Sequence, residues 1–224
     1  MYDVCLYGHI TIDRIFDNFK ESVTLGAVAN SWDALIQIDP NLSIKVVPSS
    51  YGEAIILVDR ERNFRLGRPI FNVKTNSSLI ANKSNWHHIM YLNSIKDPSF
   101  ISEIDTGVIS ADFTVGDKSV NLDYLKFIDF LFISDEDLFM DIGDLSKQTR
   151  GGVILHSPDG SVCTNGDVVF EHNVEVVKGL NVLGAGDIFA SSFIYSSLQN
   201  NGDIKTNIKF AHKKTLQLLL NKNK

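Results

Sequence analysis

Four consecutive residues, Gly184-Ala185-Gly186-Asp187, stand directly before the apolar, small-residue run from Ile188 to Leu198. Glycines at a helix start let the backbone approach a ligand closely, and the first N–H groups of the helix, aided by its dipole, make a seat for phosphate. Asp187 falls in the first turn beside that seat. A carboxylate there can take the proton of an attacking hydroxyl while the amides hold the charge on a transferring phosphoryl group, which is the division of labour phosphoryl transfer needs. Taken alone, the same residues also read as a glycine turn followed by an acid that the helix dipole favours.

Two further segments carry polar groups of matching chemistry. Asp13 closes Gly8-His9-Ile10-Thr11-Ile12-Asp13 after an apolar strand. A short carboxylate at the C-terminal end of a strand can accept two sugar hydroxyls; it equally suits a turn paired with Arg14. Asn30 closes Leu25-Gly26-Ala27-Val28-Ala29-Asn30, where its amide can meet a substrate hydroxyl or simply pack against a neighbouring helix.

In this order the three segments resemble the ribokinase-like (PfkB) family of carbohydrate and nucleoside kinases. Asn181-Val182-Leu183-Gly184-Ala185-Gly186-Asp187 is similar to the family's DTTGAGD, with Asn, Val and Leu in place of Asp, Thr and Thr. Gly26 and Asn30 are similar to its GGxxxN, with Leu25 replacing the first glycine. The resemblance implies that Asp187 is the catalytic base, that Gly184, Ala185 and Gly186 line the anion hole, and that Asp13, Gly26 and Asn30 bind the substrate. It also implies ATP as donor, Mg2+ as cofactor, and a sugar or nucleoside as the small-molecule substrate. Thinner likeness runs through Ile109 to Asp112, Asp129 to Asp137 and Gly152 to Gly160.

The nucleotide and metal side departs most from the pattern. Where the family has NxxE, the chain reads Ser134-Asp135-Glu136-Asp137, so Asp137 is the residue implied to reach the metal, through water. Where the family has TLGxxG, the chain reads Leu155-His156-Ser157-Pro158-Asp159-Gly160, which leaves Ser157 and Gly160 to lie under the nucleotide. Ser-Pro-Asp-Gly is also a good β-turn on its own. The chain is shorter than a typical member, with only Asp39-Pro40-Asn41-Leu42 between the first helix and the next strand-like region. Two functions follow: an ATP-dependent kinase acting on an alcohol, or a kinase-like fold kept for ligand binding or regulation. No GxxxxGK[ST] loop occurs, and no GxGxxG follows the first strand, which argues against P-loop and dinucleotide sites. His87-His88 are adjacent on a strand, so they point to opposite faces and cannot chelate one metal together.

Elements that can position these groups are visible as short Val-, Ile- and Phe-rich runs: Val4 to Tyr7, Ile44 to Val47, Ala54 to Val58, Ile89 to Leu92, Val108 to Ser110, Phe130 to Ile133 and Val153 to Leu155. Continuous apolar strands alternating with helical segments imply a mainly parallel sheet covered on both faces. Helices are expected over Ala27 to Ile38, Asp135 to Asp141, Ala185 to Gln199 and Ile204 to Leu220, with a short one near Pro98 to Ile104. The last two, separated at Asn201-Gly202, should pack as an antiparallel pair. Between Ser43 and Asn76, turns at Tyr51-Gly52, Arg62-Asn63 and Gly67 interrupt alternating runs, which implies a small antiparallel β lid within one α/β domain of three layers spanning 1–224. An exposed lid of this kind can pair with its twin in a homodimer.

The 224 residues carry 27 acidic and 21 basic side chains, a net charge of −6 that excludes a sequence-blind nucleic-acid binder. The short basic stretches at Lys209 to Lys214 and Lys222 to Lys224 read as solvated surface. Cys5 and Cys163, both in apolar surroundings, read as reduced core thiols. The start MYDVCLYG lacks the features of a signal peptide and no apolar run is long enough to cross a bilayer, so a cytoplasmic protein without membrane contact is expected.

Overall fold

A computed structural model describes residues 1–17, 20–59, 64–66, 70–75, 78–114, 121–200 and 203–222. The expected turns at Arg62-Asn63 and Gly67, the end of the expected lid at Asn76, the break at Asn201-Gly202 and the final Asn223-Lys224 lie outside the described residues. Strands β1 (Tyr2–Asp17) and β2 (Lys20–Leu25) precede helix α1 (Ala27–Ile38), then come β3 (Ile44–Asp59), β4 (Phe64–Leu66) and β5 (Ile70–Thr75). Next are β6 (Ser84–Met90), β7 (Val108–Asp112), β8 (Phe130–Ser134), helix α2 (Ile142–Ser146), β9 (Gly152–Ser157), β10 (Gly160–Thr164) and β11 (Val169–Asn173). Helices α3 (Ala185–Asn200) and α4 (Ile204–Lys222) follow.

The central sheet runs β3-β1-β6-β7-β8-β9 in parallel and is extended by antiparallel β10 and β11. Its inner strands β6, β7, β8 and β9 are mostly buried because both faces are covered. Along β1, Val4 and Leu6 face α1, α3 and α4 in a core with Val28, Phe193 and Ile208, while Cys5 and Tyr7 face Leu92, Phe100 and Leu125 on the other side. In the same way Phe132 points to the long helices, and Leu131 and Ile133 point to the opposite layer of short 3₁₀ turns and α2. This is the three-layer, mainly parallel arrangement that the alternating apolar runs imply. Truncating fully buried Phe132 or Phe193 to Ala should cost ~3–5 kcal/mol.

Helices α3 and α4 are antiparallel: Ser196 bonds Asn207 while Phe189, earlier in α3, packs on His212 further along α4. Asp135 to Asp141 is not one helix. A 3₁₀ turn covers Asp135–Asp137, and Asp141 starts α2 afresh by accepting the amides of Gly143 (2.9 Å) and Asp144 (3.1 Å).

β1 is 16 residues long, about 50 Å at ~3.3 Å per residue, and its second half runs past β6, whose pairing with it ends at Gly8. The register against β3 shifts between Gly8 and His9, beside Pro48. Beyond this point the strand turns one-sided: Thr11, Asp13 and Ile15 are buried and Ile12, Arg14 and Phe16 are exposed. With β2, β4, β5 and the second half of β3, it forms a β lid. The expected appendage over 43–76 therefore also includes residues from the first 25. His87 and His88 do point apart. His87 sits by Tyr7 and the Thr106 carbonyl, and its burial lowers its pKa; His88 meets Ser110 and Asp112.

Candidate active site

Asp187 lies in the first turn of α3 and is 5% exposed. Asn30 Nδ2 donates to its Oδ2 at 2.9 Å, and the Tyr91 hydroxyl donates to its Oδ1 at 3.2 Å. Both partners are donors, which suits an ionised carboxylate acceptor and fixes its plane. Gly184 leads into the helix at φ +82°, and a Cβ placed on it would sit 2.8 Å from Asn30 Nδ2. Only glycine allows both the left-handed turn and the close approach of Asn30. The Ala185 amide is held by the Val182 carbonyl at 2.9 Å, and Gly186 stands bare against the ring of His156.

These residues open onto a cleft of about 430 Å³. The last residues of three parallel strands, Asp112, Ser134 and Ser157, line it together with the Gly184–Asp187 turn and α4. Open α/β sheets place ligands at this edge. Asp135, Glu136 and Asp137 add carboxylates, and Asp137 is 6% exposed. Asp112 is backed by buried His88, whose Nε2 lies 3.3 Å from its Oδ2. Oxygen donors of this kind suit Mg2+ held largely by waters and phosphate oxygens. No group of three or more potential ligands converges as a metal cage among the described residues. Val176, Val177, Val182 and Leu216 give the cleft an exposed apolar rim.

The structure brings Gly184, Ala185, Gly186, Asp187, Ser157 and Asp137 to one cleft. Asn30 lies outside the lining and meets it at Asp187 and Gly184. Asp13 and Gly26 lie outside its lining, at the junction of lid and α1. Asp13 is 8% exposed and accepts from Thr11 Oγ1 at 2.6 Å. Gly26 donates its amide to the Thr11 carbonyl at 2.9 Å, and a Cβ on it would meet Thr11 Oγ1 at 2.0 Å. The lid touches the glycine-rich turn through a small cluster of Ile15, Ile56 and Leu183. Gly160 also lies outside the lining: it begins β10 at φ +153°, where a Cβ would meet the His172 carbonyl at 2.3 Å. Ser157 Oγ, on the cleft, closes the β9–β10 turn onto Asp159 and Gly160.

Sequence reasoning missed Tyr91, His172, His212, Lys209 and Lys213 as cleft residues. The lysines, read as solvated surface, are exposed but line the cleft one turn apart on α4. Burial, with His172 and His156 nearby, brings the His212 pKa down to about 4. Cys163 is pushed up to about 12 by burial, and Cys5 is also raised, so both thiols are unreactive.

No protein-family model matches the chain, and no curated protein sequence matches it. Solved structures do. Thermotoga maritima ribokinase is similar at 15% identity with a TM-score of 0.72, covering 94% of this chain and 90% of that one. The Methanocaldococcus jannaschii nucleoside kinase, an archaeal member of the ribokinase family, is similar at 16% identity and a TM-score of 0.67, covering 94% and 89%. A pyrophosphate-dependent kinase in the ribokinase family, complexed with a pyrophosphate analogue and myo-inositol, is similar at 14% identity and a TM-score of 0.68, covering 93% and 92%. The class is therefore that of α/β folds with an open, mainly parallel sheet. Within it, this chain has the ribokinase-like fold. No helix among the described residues is long and apolar enough to cross a membrane.

Proposed function

We propose that the protein is an ATP-dependent phosphotransferase that phosphorylates a hydroxyl of a sugar-like or nucleoside-like molecule. The observation that carries this is Asp187, held by Asn30 and Tyr91 at a glycine-rich helix start that opens onto the strand-end cleft. Asp187 takes the hydroxyl proton as the acceptor oxygen bonds to the terminal phosphorus of ATP. The bond from that phosphorus to the bridging oxygen breaks, and ADP leaves. The Gly184–Gly186 backbone steadies the charge on the transferring group, although the Ala185 amide is already held by the Val182 carbonyl. Asp13 and Gly26 mark the acceptor side under the lid, and Asn30 serves it by holding the base. The apolar rim of Val176, Val177, Val182 and Leu216 suits a nucleobase. Ser157, with Gly160 closing the turn behind it, lies under the nucleotide.

Asp137, Asp112 and Glu136 are the residues that would hold Mg2+ through water. When bound, the ion neutralises donor phosphate charge. The protein works in the cytoplasm, in keeping with its two free buried thiols, and forms a homodimer through the lid. The test is coupled release of ADP from Mg-ATP with a panel of sugars and nucleosides. Full activity in Asp187→Asn would sink the proposed base.

The second reading, a binding or regulatory protein, draws on Leu183. This side chain, where the family has Thr, packs on Ile15 and Ile56 and ties the lid to the catalytic turn. Under that reading, a sugar stabilises the protein against heat with no dependence on ATP and no turnover.

A further inference from the structure

A ladder of basic side chains leads away from Gly186 along the cleft. His156, at the end of β9, lies with Cε1 3.1 Å from the point a Gly186 Cβ would occupy. His156 packs on Phe189 at 5.4 Å between ring centroids, Phe189 on His212 at 4.8 Å, and His212 on His172 at 5.3 Å. Lys209 and Lys213, four residues apart on one face of α4, flank His212 and line the same cleft. Five basic groups from β9, β11 and α4 therefore line one cleft in a protein of net charge −6. Glu175, from the segment after β11, lines the same cleft, as do Asp112, Asp135, Glu136, Asp137 and Asp187.

Crowded bases of this kind repel one another unless an anion sits among them. At His212 burial is the main cause of the low pKa, and charge on His172 and His156 adds to it. His212 is also fixed by Ser161 Oγ at 3.0 Å, and His172 stacks on Phe170, so the ladder is built on rigid elements. Its near end meets the phosphate seat at Gly186 and its far end reaches open solvent at Lys213.

We infer that His156, His172, His212, Lys209 and Lys213 bind the non-transferred phosphates of the phosphoryl donor and select donors by their pyrophosphoryl group. This rests on the kinase reading for the position of the transferred phosphoryl at Gly186. The shared ligand chemistry is a chain of two or more phosphates, which a nucleoside triphosphate or an inorganic polyphosphate supplies.

The test is calorimetric binding to the full chain of four probes: pyrophosphate, tripolyphosphate, the β,γ-imido analogue of ATP, and adenosine. Wild type should bind tripolyphosphate more tightly than pyrophosphate. Lys209→Gln/Lys213→Gln should weaken both, and the ATP analogue, by at least tenfold, which is ~1.4 kcal/mol or more, and leave adenosine unchanged. Both lysines are exposed, so folding should survive; His172→Asn, checked by its melting curve, gives an independent second variant. Unchanged anion affinity in both variants, equal loss for adenosine, or no anion binding by wild type at millimolar concentration each overturns the inference. A tight ATP analogue with weak pyrophosphate would place the source as nucleotide, and comparable affinity would place it as inorganic; either outcome supports the ladder. Turnover is scored separately: turnover with intact anion binding in the variants defeats the ladder alone, and ladder-dependent binding without turnover defeats the kinase reading alone.

Discussion

The side-chain amide of Asn30 reaches across to Asp187 and donates to its Oδ2 at 2.9 Å, joining helix α1 to the first turn of α3. Gly184 makes this contact possible, because a side chain there would occupy the space of the Asn30 amide. Tyr91, from the end of β6, completes the support from the other oxygen. Three distant parts of the chain thus fix one carboxylate, which is what a positioned base requires.

Removing that support should cost rate more than binding. Asn30→Ala is expected to lower kcat roughly tenfold or more with little change in acceptor KM, and Asp187→Asn should lower it by ~10²–10⁴. Loss of a donor to the ionised carboxylate favours its protonated form. The acidic limb of the kcat/KM profile should therefore move to higher pH in Asn30→Ala. An unmoved limb would show that the hydrogen bond from Asn30 orients Asp187 without setting its charge.

Gly184→Ala tests the turn itself. At φ +82°, with Asn30 Nδ2 2.8 Å from the added methyl, the substitution should destabilise by ~1–3 kcal/mol. It should also push Asn30 off Asp187, so activity should fall further than Tm alone explains. Thermal melts and single-turnover rates on the same preparation separate the two effects.

How much of this was legible in the sequence follows from the physics of each part. The starts of α1, α3 and α4 could be read because Gly26, the glycine turn and the apolar spacing of Ile204, Ile208 and Ala211 are local signals. The full length of β3 was hidden by Pro48 and Gly52, which interrupt the run from Ile44 although the strand continues to Asp59. Pro48 is tolerated because it falls where the β1–β3 register shifts. β2, mostly exposed, owes its existence to pairing with Arg14 and Phe16 rather than to its own pattern. In the site, the Gly184–Asp187 motif was readable because its four residues are adjacent. His156, His172 and His212 meet only after β9, β11 and α4 assemble, so no spacing announces them.

His212 ties stability to pH. Its folded pKa, about 4, lies below the ordinary histidine value, so the unfolded chain binds the extra proton between about pH 6.5 and 4. The stability contributed by keeping this ring neutral is complete above pH 6.5 and is lost as pH falls toward 4. The loss should be about 2 kcal/mol, below the full linkage value because the ring is partly solvated. Urea midpoints across this range should fall in wild type and flatten in His212→Phe. Equal slopes in the two would place the pH dependence elsewhere.

The lid gives the last prediction. Its outer face carries Phe16 (38% exposed), Val23 (57%), Leu25 (53%) and Leu57 (45%), with Ile12 beside them at 45%. The pairing of Ile12 with Leu25 and Arg14 with Val23 puts them on one side of the sheet. Its inner face is already used, by Ile15 and Ile56 against Leu183. A one-sided sheet with a solvent-facing apolar patch gains most by meeting its own copy, since two-fold association buries the same patch twice. Light scattering on the wild type should give twice the chain mass. Phe16→Glu with Val23→Lys should return it to one chain while leaving the melting curve of the core close to wild type, because both positions are exposed. A wild type that remains monomeric at high micromolar concentration would remove the lid interface and leave the catalytic proposal standing, since Asp187, Asn30 and Tyr91 all come from a single chain.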